Sequence, residues 1–346
     1  MYEIGIFDYI MAGLWLVILG MGGFLYASLK SSRNSAYRFY NYALWAKMLG
    51  GLGFALTYSY YYDYQGDTFA YFADIRYLSN MFIEEPSSIL QILTQPSGTF
   101  NSETYHITSK LNFYRGEDTF IVIRVITLLN LLGGNTYLGT TIIVSFISFH
   151  GVWKMFLLFR EYYAKIETEL AFSILFFPSV VFWGSGILKD SIVIAGVGFM
   201  LYYLNELIVK GRLSIFKSFF LIFVIYVTAT AKSYVVISLL PATALWLIPR
   251  VQQNIENKAI KVFISPIIFV VGLGISVYLF TLFEKSFERF SLDEVVATAQ
   301  SYQDWHYYGG DFERSGRGSS YTLGEYDATL PGIISMIPSG ISVTLF

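Results

Sequence analysis

The chain has 346 residues, of which 55% are hydrophobic, 19% aromatic and only 14% charged, and its mean hydropathy is +0.52. Soluble domains carry about 25% charged residues, so the composition excludes an ordinary water-soluble protein and predicts an integral membrane one. A net charge of −2 provides no basic surface for nucleic acid, and the absence of cysteine excludes disulfides, thiolate metal sites and cysteine nucleophiles.

Seven or eight apolar stretches approach or exceed the roughly 17–25 residues a helix needs to cross a bilayer. They are spread along the whole length, which predicts an all-α polytopic transmembrane bundle of eight or nine membrane segments forming a single integral domain over 1–346. The first stretch, 6–29, is too long for the apolar core of a signal peptide and has no basic residue ahead of it. It reads as a span. Four short stretches carry three bases each: Lys30/Arg33/Arg38, Lys154/Arg160/Lys165, Lys210/Arg212/Lys217 and Arg250/Lys258/Lys261. Cytoplasmic loops retain positive charge, so all four are placed there, and 6–29, 40–62, 137–159, 170–188 and 191–209 then cross alternately. Residues 218–248 must enter and return. A single helix would put Arg250, Lys258 and Lys261 outside, so two tilted helices meeting at Lys232–Ser233 are expected, with Pro241 relaxing the second, before 262–283 leaves again. The chain ends inside an apolar segment, which suggests a truncated C-terminus.

Two polar stretches, 63–118 and 285–330, fall outside. They hold 8 acids with 3 bases and 8 acids with 4 bases. Within them YLSNMFIEEPSSILQIL and SLDEVVATAQSYQDWHYY have the mixed apolar spacing of interfacial helices. The apolar segment 120–132 is only about 20 Å long as a helix and is expected to be a partly inserted element feeding 137–159.

The stretch YYDYQGDTFAYF (61–72) places Asp63 and Asp67 four residues apart, with Asp74 further on. Carboxylates at i and i+4 share a helix face and can accept a proton from a sugar hydroxyl or hold a divalent cation beside a phosphate. Alternatively, acids leaving a span simply mark the interface. Asp67, after Gly66 and among Tyr61, Tyr62, Tyr64, Phe69, Tyr71 and Phe72, is the best candidate for a fixed pocket. In FWGSGILKDS (182–191) the glycines loosen an incoming helix, and Asp190 or Ser191 is expected to cap the outgoing one. Lys189 near a helix N-terminus opposes the macrodipole unless an anion such as phosphate sits there too, or it is an interfacial cation that snorkels. Lys232 is the lone charge in 218–248, and Arg124 the lone charge in 120–132, on a stripe with Thr127 and Asn130. Ionisable residues among spans are functional candidates by default. Three of them, Arg124, Lys189 and Lys232, at one level would suit a polyanionic ligand.

In the second outer stretch, WHYYGGDFERSGRGSSY (305–321) interleaves aromatics with Asp311, Glu313, Arg314 and Arg317. That pattern suits carbohydrate, although Gly-Gly-Asp and Ser-Gly-Arg-Gly are also ordinary loop punctuation. Lys47 is expected to snorkel and His150 to be a packed histidine. Gly184-Ser185-Gly186 lacks the pattern of a nucleophile elbow, which excludes a serine hydrolase of that type.

With GDTFAYF (66–72), FIVIRVITLLNLLGGNTYLGTTIIVSFISFHGVW (120–153), PSVVFWGSGILKDS (178–191) and AKSYVVISLLP (231–241) in view, the chain resembles bacterial multispanning enzymes that handle polyprenyl-linked sugars. These are the exopolysaccharide and O-antigen polymerases and, more distantly, the polyprenyl-phosphate-dependent GT-C glycosyltransferases. The resemblance implies a multi-pass protein of the bacterial cytoplasmic membrane that transfers or polymerises lipid-linked sugar units on the outer face. It implies an outer carboxylate near the acceptor, here Asp67, and basic residues holding the lipid pyrophosphate, here Arg124, Lys189 and Lys232. Asp63, Asp190, Arg314 and Arg317 complete the candidate substrate-binding set. Lipid-linked oligosaccharide and membrane lipid are the expected partners, and no cofactor is required beyond a possible divalent cation. The alternatives are a transporter or flippase of the same lipid-linked sugars, and a noncatalytic membrane component of a surface-polysaccharide assembly.

Overall fold

A computed structural model of the chain describes residues 2–32, 34–253 and 257–282, with short pieces at 332, 335–339 and 341. The second expected outer stretch, 285–330, and with it Arg314 and Arg317, lies outside the described residues. The structure is all-helical, 81% helix with no strand among the described residues. It divides into two units, Met1–Leu273 and Gly274–Phe346, of which the second is described only in the last turns of α13 and a few residues near 335–339.

In chain order the helices are α1 (Ile6–Ser31), α2 (Tyr40–Leu56), α3 (Asp67–Glu84), α4 (Pro86–Thr94), α5 (Tyr105–Thr108), α6 (Glu117–Leu132), α7 (Tyr137–Tyr162), α8 (Glu167–Leu175), α9 (Pro178–Phe182), α10 (Lys189–Leu204), α11 (Ile215–Ala231), α12 (Ser233–Gln253) and α13 (Lys258–Leu282). Among the described residues three helices are long and apolar enough to cross a membrane: Ile6–Ser31, Tyr137–Tyr162 and Lys189–Val209. This is a membrane protein. Eight or nine segments were expected, a count that these three helices do not confirm, and two of the expected stretches are interrupted. Residues 170–188 are split between α8, α9 and a non-helical turn, and 218–248 breaks at Lys232 into α11 and α12, the break the charge rule predicted.

α7 is the central helix. Of its most apolar window 61% is buried, against 22% for α1, which presents Ile10, Leu14, Val17, Ile18, Met21 and Phe24 outward. The most buried positions of α1 are Asp8 and a stripe of small residues, Ala12, Gly20, Gly23 and Ala27, with Trp15, Leu16 and Leu19 packed partly against the bundle. There the Trp45 ring lies over Gly20 and Leu44 over Gly23. Lipid tails are as apolar as these side chains, so such contacts are favoured by close van der Waals fit and not by burial alone. The α7–α10 seam is tightest. A Cβ on Gly198 would sit 2.0 Å from the Gly151 carbonyl oxygen, and one on Gly151 would sit 2.4 Å from Ala195 Cα.

The two ends of the bundle differ in charge. At one, Arg160 on α7 donates to Asn34 (2.8 Å) and pairs with Glu167 (3.1 Å), while Lys210 pairs with Glu161 (2.7 Å) and Glu206 (2.8 Å). Three of the four basic stretches therefore meet at a shared end. At the other, Asp8 in the first turn of α1 accepts from the Tyr137 amide that opens α7 (2.9 Å) and from the Tyr2 hydroxyl (2.6 Å). α6 lies within that second end: its first turn meets the start of α10 through Asp118–Lys189 (2.6 Å), and its last turn meets α7 through Thr140–Asn130 (2.7 Å). At 16 residues, about 24 Å, it begins and finishes there without crossing.

The seam yields a direct expectation. Gly198→Val forces carbon into a backbone carbonyl that cannot move aside, and overpacking of this kind costs about 1–3 kcal/mol. Gly13→Val adds the same atoms where nothing lies within 4 Å. Thermal unfolding in detergent should show a clear fall in Tm for Gly198→Val and none for Gly13→Val.

Candidate functional site

The stretch 176–188 creates the site. α8 ends at Leu175, Pro178 opens the five-residue α9, and from Trp183 to Leu188 the backbone is non-helical before α10 starts. Proline suits the first helical position because its missing N–H has no partner to lose there. The exposed carbonyls are taken up by side chains of three neighbouring helices. Lys47 Nζ on α2 donates to Val180 O (2.6 Å), Ser148 and Ser145 on α7 donate to Gly184 O (2.6 Å) and Ser185 O (2.7 Å), and Ser191 on α10 donates to Gly186 O (2.7 Å). Two expectations are corrected here. Lys47 does not snorkel: it is 1% exposed and bonded to a backbone oxygen. Neither Asp190 nor Ser191 caps α10, because the N-cap is Leu188 and makes no side-chain cap bond. His150 is a packed histidine, bonded to Phe146 O (2.8 Å) and to the Tyr40 hydroxyl (3.1 Å).

Lys189 and Asp190 are thereby the first two residues of α10, and each reaches a neighbour. Lys189 Nζ pairs with Asp118 on α6 (2.6 Å), and Asp190 pairs with Lys232 at the α11–α12 break (2.5 Å). Asp118 follows Glu117, which pairs with Arg124 two turns along α6. Arg124, Lys189 and Lys232 are thus brought to one end of the bundle in an alternating string, Arg124–Glu117, Asp118–Lys189, Asp190–Lys232, that ties α6, α10 and α11 together. Sequence treated these cations as isolated; each holds a carboxylate.

The pairs differ in kind. Arg124 has a side chain only 9% exposed, lies over the Phe120 ring and donates also to Gln95 O (2.5 Å). Glu117 accepts in addition from the Ser97 amide (2.8 Å). Burial pushes the Glu117 carboxyl up, but the bonds from Ser97 and Arg124 outweigh it and hold the group below the usual carboxylate range. This pair is a staple between α6 and segment 95–97. Asp118 and Asp190, by contrast, are each 56% exposed, and their lysines lie in the rim.

Asp67 opens α3 directly after Gly66, whose φ of +94° few other residues adopt. The carboxylate is exposed and, among the described residues, makes no hydrogen bond or ion pair. Its neighbours are fixed: the Thr68 hydroxyl bonds Tyr137 Oη (2.8 Å), and Phe69 stacks on the Tyr137 ring at 4.3 Å. One turn along α3 lies buried Tyr71, whose ring meets the Phe113 edge at 5.1 Å. Burial first, and then the charges of Asp67, Asp118 and Asp190 together, raise its hydroxyl well above the ordinary tyrosine value.

Asp63 does not share a helix face with Asp67. It lies in a turn with φ +52°, followed by Tyr64 at +59°, so the assumed helical period fails between them. Asp74 is 2% exposed and accepts from Asn112 N (3.0 Å), Asn112 Nδ2 (2.8 Å) and Phe113 N (2.9 Å), a clamp on the chain between α5 and α6. Among the described residues no three carboxylates or histidines are gathered so as to hold a metal ion. Sequence reasoning passed over Glu117, Asp118 and Asp8. The first two were legible as acids in the opening turn of an apolar helix, and Glu117 stands seven residues, two turns, before Arg124. No protein-family model, curated protein or solved structure matches the chain.

The depressed Glu117 carboxyl sets a pH window. Its contribution is fully present above the unfolded value of about 4.3 and is lost as pH falls through the lower folded value. The protection factor of the Ser97 amide should therefore stay high from neutral pH down to about 4.3 and fall below it. In Glu117→Gln the same amide should exchange faster at neutral pH and lose that acid dependence.

Proposed function

We propose that the chain is a multi-pass enzyme of the bacterial cytoplasmic membrane that transfers or polymerises polyprenyl-(pyro)phosphate-linked sugar units on the outer face. The observations that support this reading are the string of paired cations and carboxylates at one end of the bundle and Asp67, an exposed carboxylate that makes no hydrogen bond or ion pair among the described residues. In the reaction, Asp67 orients an acceptor hydroxyl and takes its proton. The new bond forms from the acceptor oxygen to the sugar's anomeric carbon as the bond from that carbon to phosphate oxygen breaks, and the polyprenyl (pyro)phosphate departs with the electron pair. Lys189 and Lys232 stabilise the charge that develops on it.

Magnitudes decide which cations can serve. A rim pair such as Lys189–Asp118 or Lys232–Asp190 is worth about 0–1 kcal/mol, so a phosphate carrying more charge than a carboxylate displaces the acid at little cost. Opening the Arg124–Glu117 pair costs more, because the Arg124 side chain is only 9% exposed and would be left without its carboxylate, although Glu117 is itself 38% exposed. We therefore assign the phosphate contacts to the two lysines and give Arg124 a positioning role, a change from what the resemblance implies. Arg314 and Arg317 remain candidates from sequence alone.

One observation favours the rival reading of a transporter for the same lipid-linked sugars: transporters place discontinuous helices at their sites, and 170–188 and 218–248 are both broken. Detergent micelles separate the two, because elongation needs no compartments. Purified protein supplied with a polyprenyl-pyrophosphate-linked saccharide should yield longer lipid-linked glycans by mass. Asp67→Asn should slow this by about 10²-fold or more, and Lys189→Ala and Lys232→Ala should do so by a comparable factor, all with normal folded yield; Arg124→Ala should instead lower the folded yield. Absence of elongation in micelles with flipping in liposomes would sink the enzyme reading in favour of transport.

A further inference from the structure

Arg76, on α3, is in none of the ion pairs of the described residues. Its guanidinium lies over the Tyr2 ring, 4.6 Å from the centroid. That ring is fixed in turn: its hydroxyl bonds Asp8 (2.6 Å) and its edge meets Phe72 at 4.9 Å. Asp8 sits behind the ring and is spent on the Tyr2 hydroxyl and on the Gly5 and Tyr137 amides. Arg76 is thus an exposed cation held flat on an aromatic face, with its N–H fork free.

It lines an open surface groove of about 330 Å³ with Tyr2, Ala73, Tyr77 and Asn80. The Asn80 carbonyl oxygen accepts from Asn135 (2.5 Å), which leaves the Asn80 amide hydrogens as donors. Lys110 lies 5.7 Å from the Tyr77 ring centroid on the same side of α3 and adds a second positive charge. The walls are aromatic and the polar groups that remain are mainly donors, so a ligand must supply acceptors and negative charge as well as an apolar face. Arg76 stands nine residues from Asp67, about 900° of helical turn, so the groove opens on the face of α3 opposite the one that bears Asp67.

We infer that this groove binds a carboxylate-bearing sugar, a uronate, with Arg76 and Asn80 on the carboxylate and the tyrosine rings against the sugar's C–H face. The carboxylate requirement rests on the groove alone. The choice of a sugar as its carrier rests on the proposed function. The site would hold the acidic residues of a glycan chain away from the transfer centre.

The test is binding to the purified full chain in detergent, measured by calorimetry and saturation-transfer NMR. The probes are a glucuronate-containing trisaccharide, its neutral glucose counterpart, succinate and inorganic phosphate. The acidic trisaccharide should bind and the neutral one should not. Arg76→Gln should weaken binding roughly 10- to 100-fold, the worth of a charged hydrogen bond, while Lys189→Ala should leave it unchanged. Equal binding of both trisaccharides, no effect of Arg76→Gln, or succinate or phosphate binding as well as the uronate would overturn the proposal. Uronate binding by a protein that elongates nothing would retain this site and remove the transferase; elongation without uronate binding would do the reverse.

Discussion

The structure depends on satisfying a short length of unwound backbone inside an apolar bundle. Between Val180 and Gly186 the carbonyls lose their helical partners, and in the absence of water each unpaired group costs several kcal/mol. Five side chains meet that demand: Lys47 from α2, Ser145 and Ser148 from α7, Ser191 from α10, and Ser185 of the turn itself, which donates to Val181 O. A buried lysine is a costly donor for one carbonyl, and a Cβ on Gly184 would come within 2.8 Å of its Nζ, so the small residues of the turn and the reach of Lys47 are parts of one arrangement. Its product is a fixed starting point for α10, and therefore a fixed position for Lys189 and Asp190. This is why an apolar chain spends two glycines and adjacent opposite charges there.

From that starting point order spreads outward through polar anchors. The string of ion pairs ties α6, α10 and α11 at one end. Glu117 extends it to segment 95–97, and Asp74 fastens residues 112–113 to α3. Tyr137, at the start of α7, receives Thr68 and Phe69 and so fixes the helix that Asp67 opens. Segment 63–118 thus owes its placement to a few charged and hydroxyl contacts with the bundle as well as to its own apolar packing. Those contacts carry directional information that apolar burial does not.

The helical character was legible wherever an apolar run was long and uninterrupted, as in α1, α7 and α10. The break at Lys232–Ser233 was legible because four groups of basic residues had to share one side. The split of 170–188 was harder to see, since its composition suits a whole span and only Pro178 and the glycines signal otherwise. Asp63 and Asp67 were misread because a helical period was carried through Gly66, the one residue in the stretch that announces a change of backbone. The partner of Lys47 is a main-chain oxygen 133 positions away, a contact with no sequence signature. The cations were found, but their neutralisation was not: Asp118–Lys189 and Asp190–Lys232 join residues 71 and 42 positions apart.

That neutralisation changes how the proposed site would operate. Three cations stand against four carboxylates, Asp67, Glu117, Asp118 and Asp190, so the resting site carries an excess negative charge and a free pyrophosphate would be repelled by it. Entry then requires exchange, with the phosphate taking the lysines and releasing Asp118 and Asp190 toward water, to which they are already half exposed. Tyr71 is a phenol that burial first, and then the charges of Asp67, Asp118 and Asp190, keep protonated. Exposed cations would bind any passing polyanion, whereas pairs worth about 1 kcal/mol or less discriminate by charge density. They yield to a pyrophosphate presented at membrane depth by its lipid and resist weaker anions from bulk water. On this view the carboxylates of the string are the selective element, and the lysines are what they guard.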